Sequence, residues 1–269
     1  MRILLTGRNG QVGAELERAL EGVVATDRQS LDLARSAEIV RVVRELKPDV
    51  ILNAAAYTAV DKAETERAAA TQVNAVAPGV LGEEARRAGA LLVHYSTDYV
   101  FDGAKGAPYA EDDAPVPLSH YARTKLDGER AVAASGCRHL IVRTSWVYGP
   151  RAANFYQIIA RKAAANEPMR MVDDQTSVPT PAGFLAQQTV ALLKTDFSGT
   201  VHLVPSGEAT RFEFASAVAK KMQSTSRIEP ARTAEFPSAA RRPGYSVLDN
   251  RRAAALLGRA LPGWRDLLP

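Results

Sequence analysis

The first twenty residues hold a strand, a glycine turn and a helix in immediate succession. Arg2-Ile3-Leu4-Leu5-Thr6 is a short apolar run of strand character. Gly7-Arg8-Asn9-Gly10-Gln11-Val12-Gly13 follows at once, and Val12, Leu16, Ala19 and Leu20 then recur at helical spacing. Gly7 allows the tight turn, Gly10 lets backbone come close to a ligand, and Gly13 lets helix and strand pack closely. A helix beginning there presents unpaired N–H groups and the positive end of its dipole, which suits phosphate oxygens. The spacing is G-x-x-G-x-x-G rather than G-x-G-x-x-G. Its weight comes from its place directly after a strand.

Further strands follow at the intervals of a parallel α/β sheet. Val23-Val24-Ala25-Thr26 ends in Asp27-Arg28. An acid at that point would hold the ribose hydroxyls of an adenosine, and an adjacent arginine could take a 2′-phosphate. With both present, NADH and NADPH stay open as cofactors. Asp32-Leu33 lies where a loop would pass the adenine, and Ser36 is expected to cap a helix to Leu46, with Lys47-Pro48 as its stop. Val50-Ile51-Leu52 leads into Asn53-Ala54-Ala55-Ala56-Tyr57-Thr58, whose small residues leave room for a cofactor against backbone or simply pack tightly. An Ala-rich helical region from about 62 to 89 contains Asn74. Leu91 to Ser96 reads as a fourth strand, with His94 as a satisfied core histidine, and it delivers Thr97 and Asp98 to the edge that carries the glycine turn. Residues 99–119 are rich in Gly, Pro, Asp and Tyr and form a loop and candidate lid. Leu140-Ile141-Val142-Arg143 is the fifth strand.

The pattern predicts a Rossmann-type doubly wound parallel sheet over residues 1–150 as an NAD(P)-binding domain. A smaller C-terminal α/β substrate domain would follow over 151–269, with a segment near 175–200 returning to the main sheet. Its helices are expected at 154–166, 181–193 and 211–222, and its strands at 169–172 and 200–204.

Composition narrows the class. At 269 residues and 46% apolar, the chain can bury one large unit or a main domain with a companion. A single cysteine, Cys137, forms no internal disulfide and no metal or redox motif. With no signal-like apolar region and no membrane span, a cytoplasmic protein is expected. The net charge of +4 is modest, but Arg241, Arg242, Arg251, Arg252, Arg259 and Arg265 crowd the C-terminal end. No aromatics interleave with them as a nucleic-acid surface would want, so an anionic small molecule is the expected partner.

One more pair carries chemistry. Tyr121 and Lys125 stand four apart at the start of a helical stretch, one turn from each other on one face. An ammonium so placed can lower the phenol's pKa and make it a proton donor. Eight Tyr and eight Lys in 269 residues would supply only about a quarter of one such pair by chance.

Taken together, Gly7-x-x-Gly10-x-x-Gly13, Asn53-Ala54-Ala55-Ala56, Ser96-Thr97-Asp98-Tyr99-Val100-Phe101 and Tyr121-x-x-x-Lys125 resemble the extended short-chain dehydrogenases/reductases. The longer strings Thr58-Ala59-Val60-Asp61-Lys62-Ala63-Glu64, Arg143-Thr144-Ser145-Trp146-Val147-Tyr148 and Ala240-Arg241-Arg242-Pro243 are similar to those of the dTDP-4-dehydrorhamnose reductases. The resemblance implies reduction of the C4 ketone of dTDP-4-dehydro-L-rhamnose by NADPH or NADH. It implies Tyr121 as proton donor, Lys125 on the nicotinamide ribose and Thr97 on the substrate oxygen. It gives the cofactor Gly7, Gly10, Gln11, Val12, Gly13, Asp27, Arg28, Asp32, Leu33, Ala55, Ala56, Tyr57 and Thr58. It gives the sugar nucleotide Asp98, Trp146 and Asn154, with Arg241 and Arg242 on the diphosphate. Related dehydratases carry an Asp-Glu pair after the threonine; here Tyr99 follows Asp98, which favours plain reduction. Some relatives dimerise around magnesium held by glutamates. Glu15 matches one such position and Gly183 replaces the other, so no metal is expected, and monomer and homodimer both stay open. A non-catalytic regulatory subunit like that of methionine adenosyltransferase shares many of these strings. Retention of Thr97, Tyr121 and Lys125 favours the enzyme.

Overall fold

The computed structural model describes residues 1–151 and 154–269. The first half of the chain alternates strand and helix: β1 (Ile3–Thr6), α1 (Gln11–Ala19), β2 (Val23–Thr26), α2 (Ser36–Leu46), β3 (Val50–Asn53), α3 (Arg67–Thr71), α4 (Ala77–Ala88), β4 (Leu91–Thr97), α5 (His120–Ala134) and β5 (His139–Thr144). Then come β6 (Val147–Tyr148), α6 (Phe155–Ala164), β7 (Met169–Val172), β8 (Thr176–Ser177), β9 (Thr180–Pro181), α7 (Ala182–Leu192), β10 (Gly199–His202), β11 (Ala209–Thr210), α8 (Arg211–Lys221), β12 (Ile228–Ala231) and α9 (Arg251–Leu257).

Six strands make one parallel sheet in the order β10-β5-β4-β3-β1-β2. β1 and β3 are buried along their whole length, which is why they read as unbroken apolar runs rather than alternating ones. One face packs Leu16 of α1, Phe184 and Leu185 of α7 and Ala253 of α9. The other packs Ile39 and Val43 of α2, Leu81 of α4 and Val132 of α5. Chain order reverses between β1 and β3, so the crevice beyond their C-terminal ends is the natural ligand position.

A second core gathers Ile159, Val218, Phe214 and Trp264 with Val100, Phe101 and Tyr109. The 99–119 segment is therefore anchored rather than loose. Tyr109 exchanges backbone hydrogen bonds with the C-terminal region, its N–H to Val247 O at 2.8 Å and its carbonyl from Asp249 N at 2.8 Å. Past the expected boundary at 150, α7 packs on α1 and β10 adds to β5 at the sheet edge.

Several local expectations change. Ser36 is the first residue of α2 and not its cap: Arg35 takes the cap position, and no side chain caps it. The stretch from 62 to 89 breaks into a 3₁₀ turn, α3, a π-turn over Gln72–Val76 and α4. β12 pairs with β7 in the second core, and α9 is stopped by Gly258 in the left-handed region. No helix among the described residues is long and apolar enough to cross a membrane.

Candidate active site

The glycine turn is shaped by contacts that a side chain would destroy. Gly7 has φ 78°, and a β-carbon on it would lie 2.7 Å from Ala55 N, so the turn presses directly on the small residues after β3. A β-carbon on Gly13 would lie 2.1 Å from Gly7 O, so α1 begins hard against the turn. Both contacts sit at the sheet's switch point, where the α1 N-terminus has Gly10 as cap and no acidic residue in its first turn. The cradle fits a dinucleotide pyrophosphate.

Beside it lies a cavity of about 390 Å³ lined by Arg8, Asn9, Glu17, Arg18, Asp27 and Arg151, among others. Asp27 accepts the N–H groups of Gln29 and Ser30 at 3.0 Å, and the Ser30 hydrogen bonds hold its carboxyl below the ordinary range. Arg28 lies outside the cavity lining, 87% exposed and 3.9 Å from Asp32. Three arginines line the cavity, Arg8, Arg18 and Arg151; Arg8, inside the glycine turn, is paired with Glu17 at 2.5 Å. Its signal was in the sequence, as a basic residue inside the turn. Leu33 is buried in the core. Ala55 and Ala56 are half-buried, and Thr58 is exposed. Asn74 of the π-turn fixes the strip after β3, accepting from Tyr57 N at 2.8 Å and donating to Tyr57 O at 3.0 Å and Thr124 Oγ1 at 3.2 Å. A π-turn in this position is a common mark of a functional site. Gln11 donates to Val147 O at 3.3 Å and accepts from Asn154 at 3.2 Å, joining α1 to the N-cap of α6. Val12 packs into the α1 face of the core.

Ser119 caps α5 by accepting Ala122 N at 3.2 Å, which places Tyr121 at the helix start. Lys125, one turn on, points inward. Its Nζ donates to the Tyr95 carbonyl at 2.6 Å and lies 3.3 Å from His94 Nε2. The other ring nitrogen, Nδ1, lies 3.0 Å from the Asn53 amide nitrogen Nδ2. Asn53 in turn meets the Thr6 hydroxyl at 2.8 Å. Burial, and then the Lys125 charge, keep His94 neutral, well below 6.5. His94 is thus a satisfied core histidine, as expected, but its partner is Lys125. Burial lowers Lys125 to about 8.

The acidification of Tyr121 does not appear. Burial, and then the nearby Asp98 charge, push its phenol above the ordinary value of 10, with a Thr97 hydrogen bond acting the other way. Thr97 donates to Asp98 Oδ1 at 3.1 Å and accepts Tyr99 N at 3.2 Å. Asp98, 2% exposed, also accepts Ser177 at 2.9 Å and Ser246 at 2.5 Å. Burial raises its carboxyl to about 6 against those three hydroxyls. Its oxygens therefore face groups of its own chain.

On the outer side, Trp146 holds φ 39°, an uncommon value for a residue with a side chain. Arg211, which the sequence did not single out, lies over its ring at 4.3 Å. The Arg cluster near the C-terminus disperses. Arg242 binds Asp61 at 2.7 Å, so two of the long strings meet each other; Arg252 binds Asp112 at 2.7 Å; Arg259 binds Gln188 at 2.7 Å; Arg241 is exposed.

Across residues 1–269 the chain matches the family model described as the RmlD substrate binding domain. It is 43% identical to the dTDP-4-dehydrorhamnose reductase of Burkholderia thailandensis over 285 aligned residues, covering 98% of this chain and 96% of the relative. To the dTDP-4-dehydrorhamnose reductase of Escherichia coli K12 it is 39% identical, with 98% and 95% covered. Among solved structures it is similar to the dTDP-4-dehydrorhamnose reductase of Bacillus anthracis in complex with NADP. The TM-score there is 0.95 at 34% identity, with 99% of this chain and 96% of that one covered.

Proposed function

The chain belongs to the RmlD substrate-binding-domain family, and from that premise we propose that it is an NAD(P)H-dependent oxidoreductase reducing the C4 ketone of dTDP-4-dehydro-L-rhamnose to dTDP-L-rhamnose. What supports the reading is Tyr121 within hydrogen-bonding reach of Thr97 at the end of β4, with Lys125 buried one turn further along α5. Full-length similarity to reductases of that name supports the same substrate.

The cradle and the α1 N-terminus would hold the cofactor pyrophosphate, with Gln11, Val12, Ala55, Ala56, Tyr57 and Thr58 along its path. Asp27, with Asp32 and Leu33 near the adenine, would take the ribose. Arg8 is the better-placed receptor for a 2′-phosphate, ahead of Arg28, because it shares the Asp27 cavity. When bound, the nicotinamide supplies the hydride that forms the new C4–H bond.

This chain's residues supply the rest. Tyr121, kept protonated at neutral pH by burial, gives its proton to O4 as negative charge develops there. One ketone, one hydride and one proton thus balance to the alcohol. Lys125 has three N–H donors and directs two into the core, leaving the third for the nicotinamide ribose. Thr97 turns its hydroxyl from Asp98 to the carbonyl oxygen, so Asp98 serves the substrate by orienting Thr97. Trp146 and Asn154 would line the sugar side; of the candidates for the diphosphate by resemblance, Arg241 is exposed and Arg242 is held by Asp61. Residues 1–150 with α7 and β10 form the cofactor unit and the remainder the substrate unit. The single buried cysteine supports a reducing, cytoplasmic setting, with the enzyme acting as a monomer or homodimer.

The test is direct. Folded protein given dTDP-4-dehydro-L-rhamnose and NADPH should consume reduced cofactor and form dTDP-L-rhamnose in equal amounts. Tyr121→Phe should cut turnover by about two to four orders of magnitude while still binding NADPH. No consumption above blank by the wild-type protein would sink the reading.

A further inference from the structure

Among the described residues, four arginines are not exposed: Arg143, Arg211, Arg242 and Arg252. Arg143 reaches Glu129, Arg242 reaches Asp61 and Arg252 reaches Asp112, each at 2.7 Å. Arg211 is the exception, with no carboxylate partner among the described residues. Its Nε donates to Gln175 Oε1 at 3.0 Å and its Nη2 to the Tyr99 hydroxyl at 3.4 Å, both neutral acceptors. Its guanidinium lies over the rings of Trp146 at 4.3 Å and Phe155 at 4.9 Å. Aromatic faces steady a cation but do not neutralise it.

The position adds weight. Arg211 is the first residue of α8, where the helix dipole opposes a positive charge. Nothing among its described partners supplies a negative charge to balance it. Trp146, one of the two supporting rings, is held at φ 39°, a strain that persists only where surroundings impose it. Through Tyr99 the group borders the reacting centre, since the Tyr99 ring meets Tyr121 edge-on at 6.3 Å. Arg242 bears on the same Tyr99 hydroxyl, but it already holds Asp61.

We propose that Arg211 is the diphosphate receptor of the nucleotide-sugar site, offering its remaining N–H donors to phosphate oxygens while Trp146 and Phe155 hold the guanidinium plane. This rests on the reductase reading, which brings a nucleoside diphosphate sugar to Tyr121. A guanidinium has five N–H donors and two are engaged. The free ones form the planar fork that matches a phosphate.

The experiment measures binding of dTDP, thymidine and NADPH to wild type, Arg211→Met and Arg211→Lys by calorimetry, with melting curves to show that each is folded. Arg211→Met should weaken dTDP by about ten- to a hundredfold and leave thymidine and NADPH unchanged. Arg211→Lys keeps the charge without the fork and should fall between. In turnover, KM for the nucleotide sugar should rise with kcat little altered. A folded Arg211→Met that binds dTDP as wild type does, or that loses thymidine equally, overturns the assignment and leaves Arg211 a brace between two rings. Should Arg211→Met not fold, undiminished dTDP affinity in Arg211→Lys overturns it. Wild type that binds dTDP but never reduces the sugar fails the reductase reading instead, so the two failures are distinct.

Discussion

Lys125 is an ammonium buried to 2% exposure, with burial drawing its pKa to about 8 from 10.5. Below pH 8 folded and unfolded chains both carry the proton, and the charge is buried at full cost. Between 8 and 10.5 the unfolded chain binds the extra proton, so stability rises with pH across that window. At neutral pH the cost is of the order of 3 kcal/mol, less what the Tyr95 and His94 contacts return. Lys125→Met should therefore raise the melting temperature at pH 7 and gain less at pH 10, while losing most activity; melts at the two pH values check it. Unequal values of this kind, kept at a site against stability, are what function demands. The cofactor end has its own residue-scale prediction. Arg8→Ala should raise KM for NADPH more than for NADH, and Arg28→Ala should change both little, as steady-state kinetics with each cofactor will read. Equal effects of Arg8→Ala on both would remove it from the 2′-phosphate.

Among elements, the ones tied to a single dominant local force were legible. β1, β3 and β4 showed as buried apolar runs, and the Gly7–Gly13 turn announced the switch point because only glycine tolerates its contacts. The Tyr121–Lys125 spacing marked the start of a helix, which the structure begins at His120. What escaped was settled by partners far along the chain. The direction of Lys125 depends on His94 and Asn53, which belong to other strands. The anchoring of 99–119 depends on Val247 and Asp249, and Arg211 shows its environment only once Trp146, Phe155 and Tyr99 surround it. The π-turn at Gln72–Val76 has no mark in an Ala-rich stretch that reads as plain helix. Asp61 makes the same point: it looked like one letter of a family string until its pair with Arg242 and Ala240 N joined the 3₁₀ turn at 62–64 to the C-terminal segment. Asp61→Ala should free that segment, raising KM for the nucleotide sugar about tenfold, the worth of a partly buried charged contact, and exposing residues near 236–246 to limited proteolysis. Unchanged KM and cleavage would show the pair to be idle.

At the scale of the molecule, two cores meet at the proposed reacting centre. The sheet brings Thr97 and the cofactor cradle, and the second core brings Ser177 and Ser246, which close on Asp98 beside Thr97. Asp98 therefore ties the second core to the sheet through three hydroxyls, and Tyr121, the proposed proton donor, stands next to that joint. A fold so arranged holds a ketone between a cofactor and a buried phenol, which is the central claim. It is tested most directly by isotope transfer. NADPH deuterated at both C4 positions of the reduced nicotinamide, supplied with dTDP-4-dehydro-L-rhamnose in ordinary water, should give dTDP-L-rhamnose with one deuterium at sugar C4 and none elsewhere. Product without deuterium at C4, or no product from folded enzyme, would contradict the account.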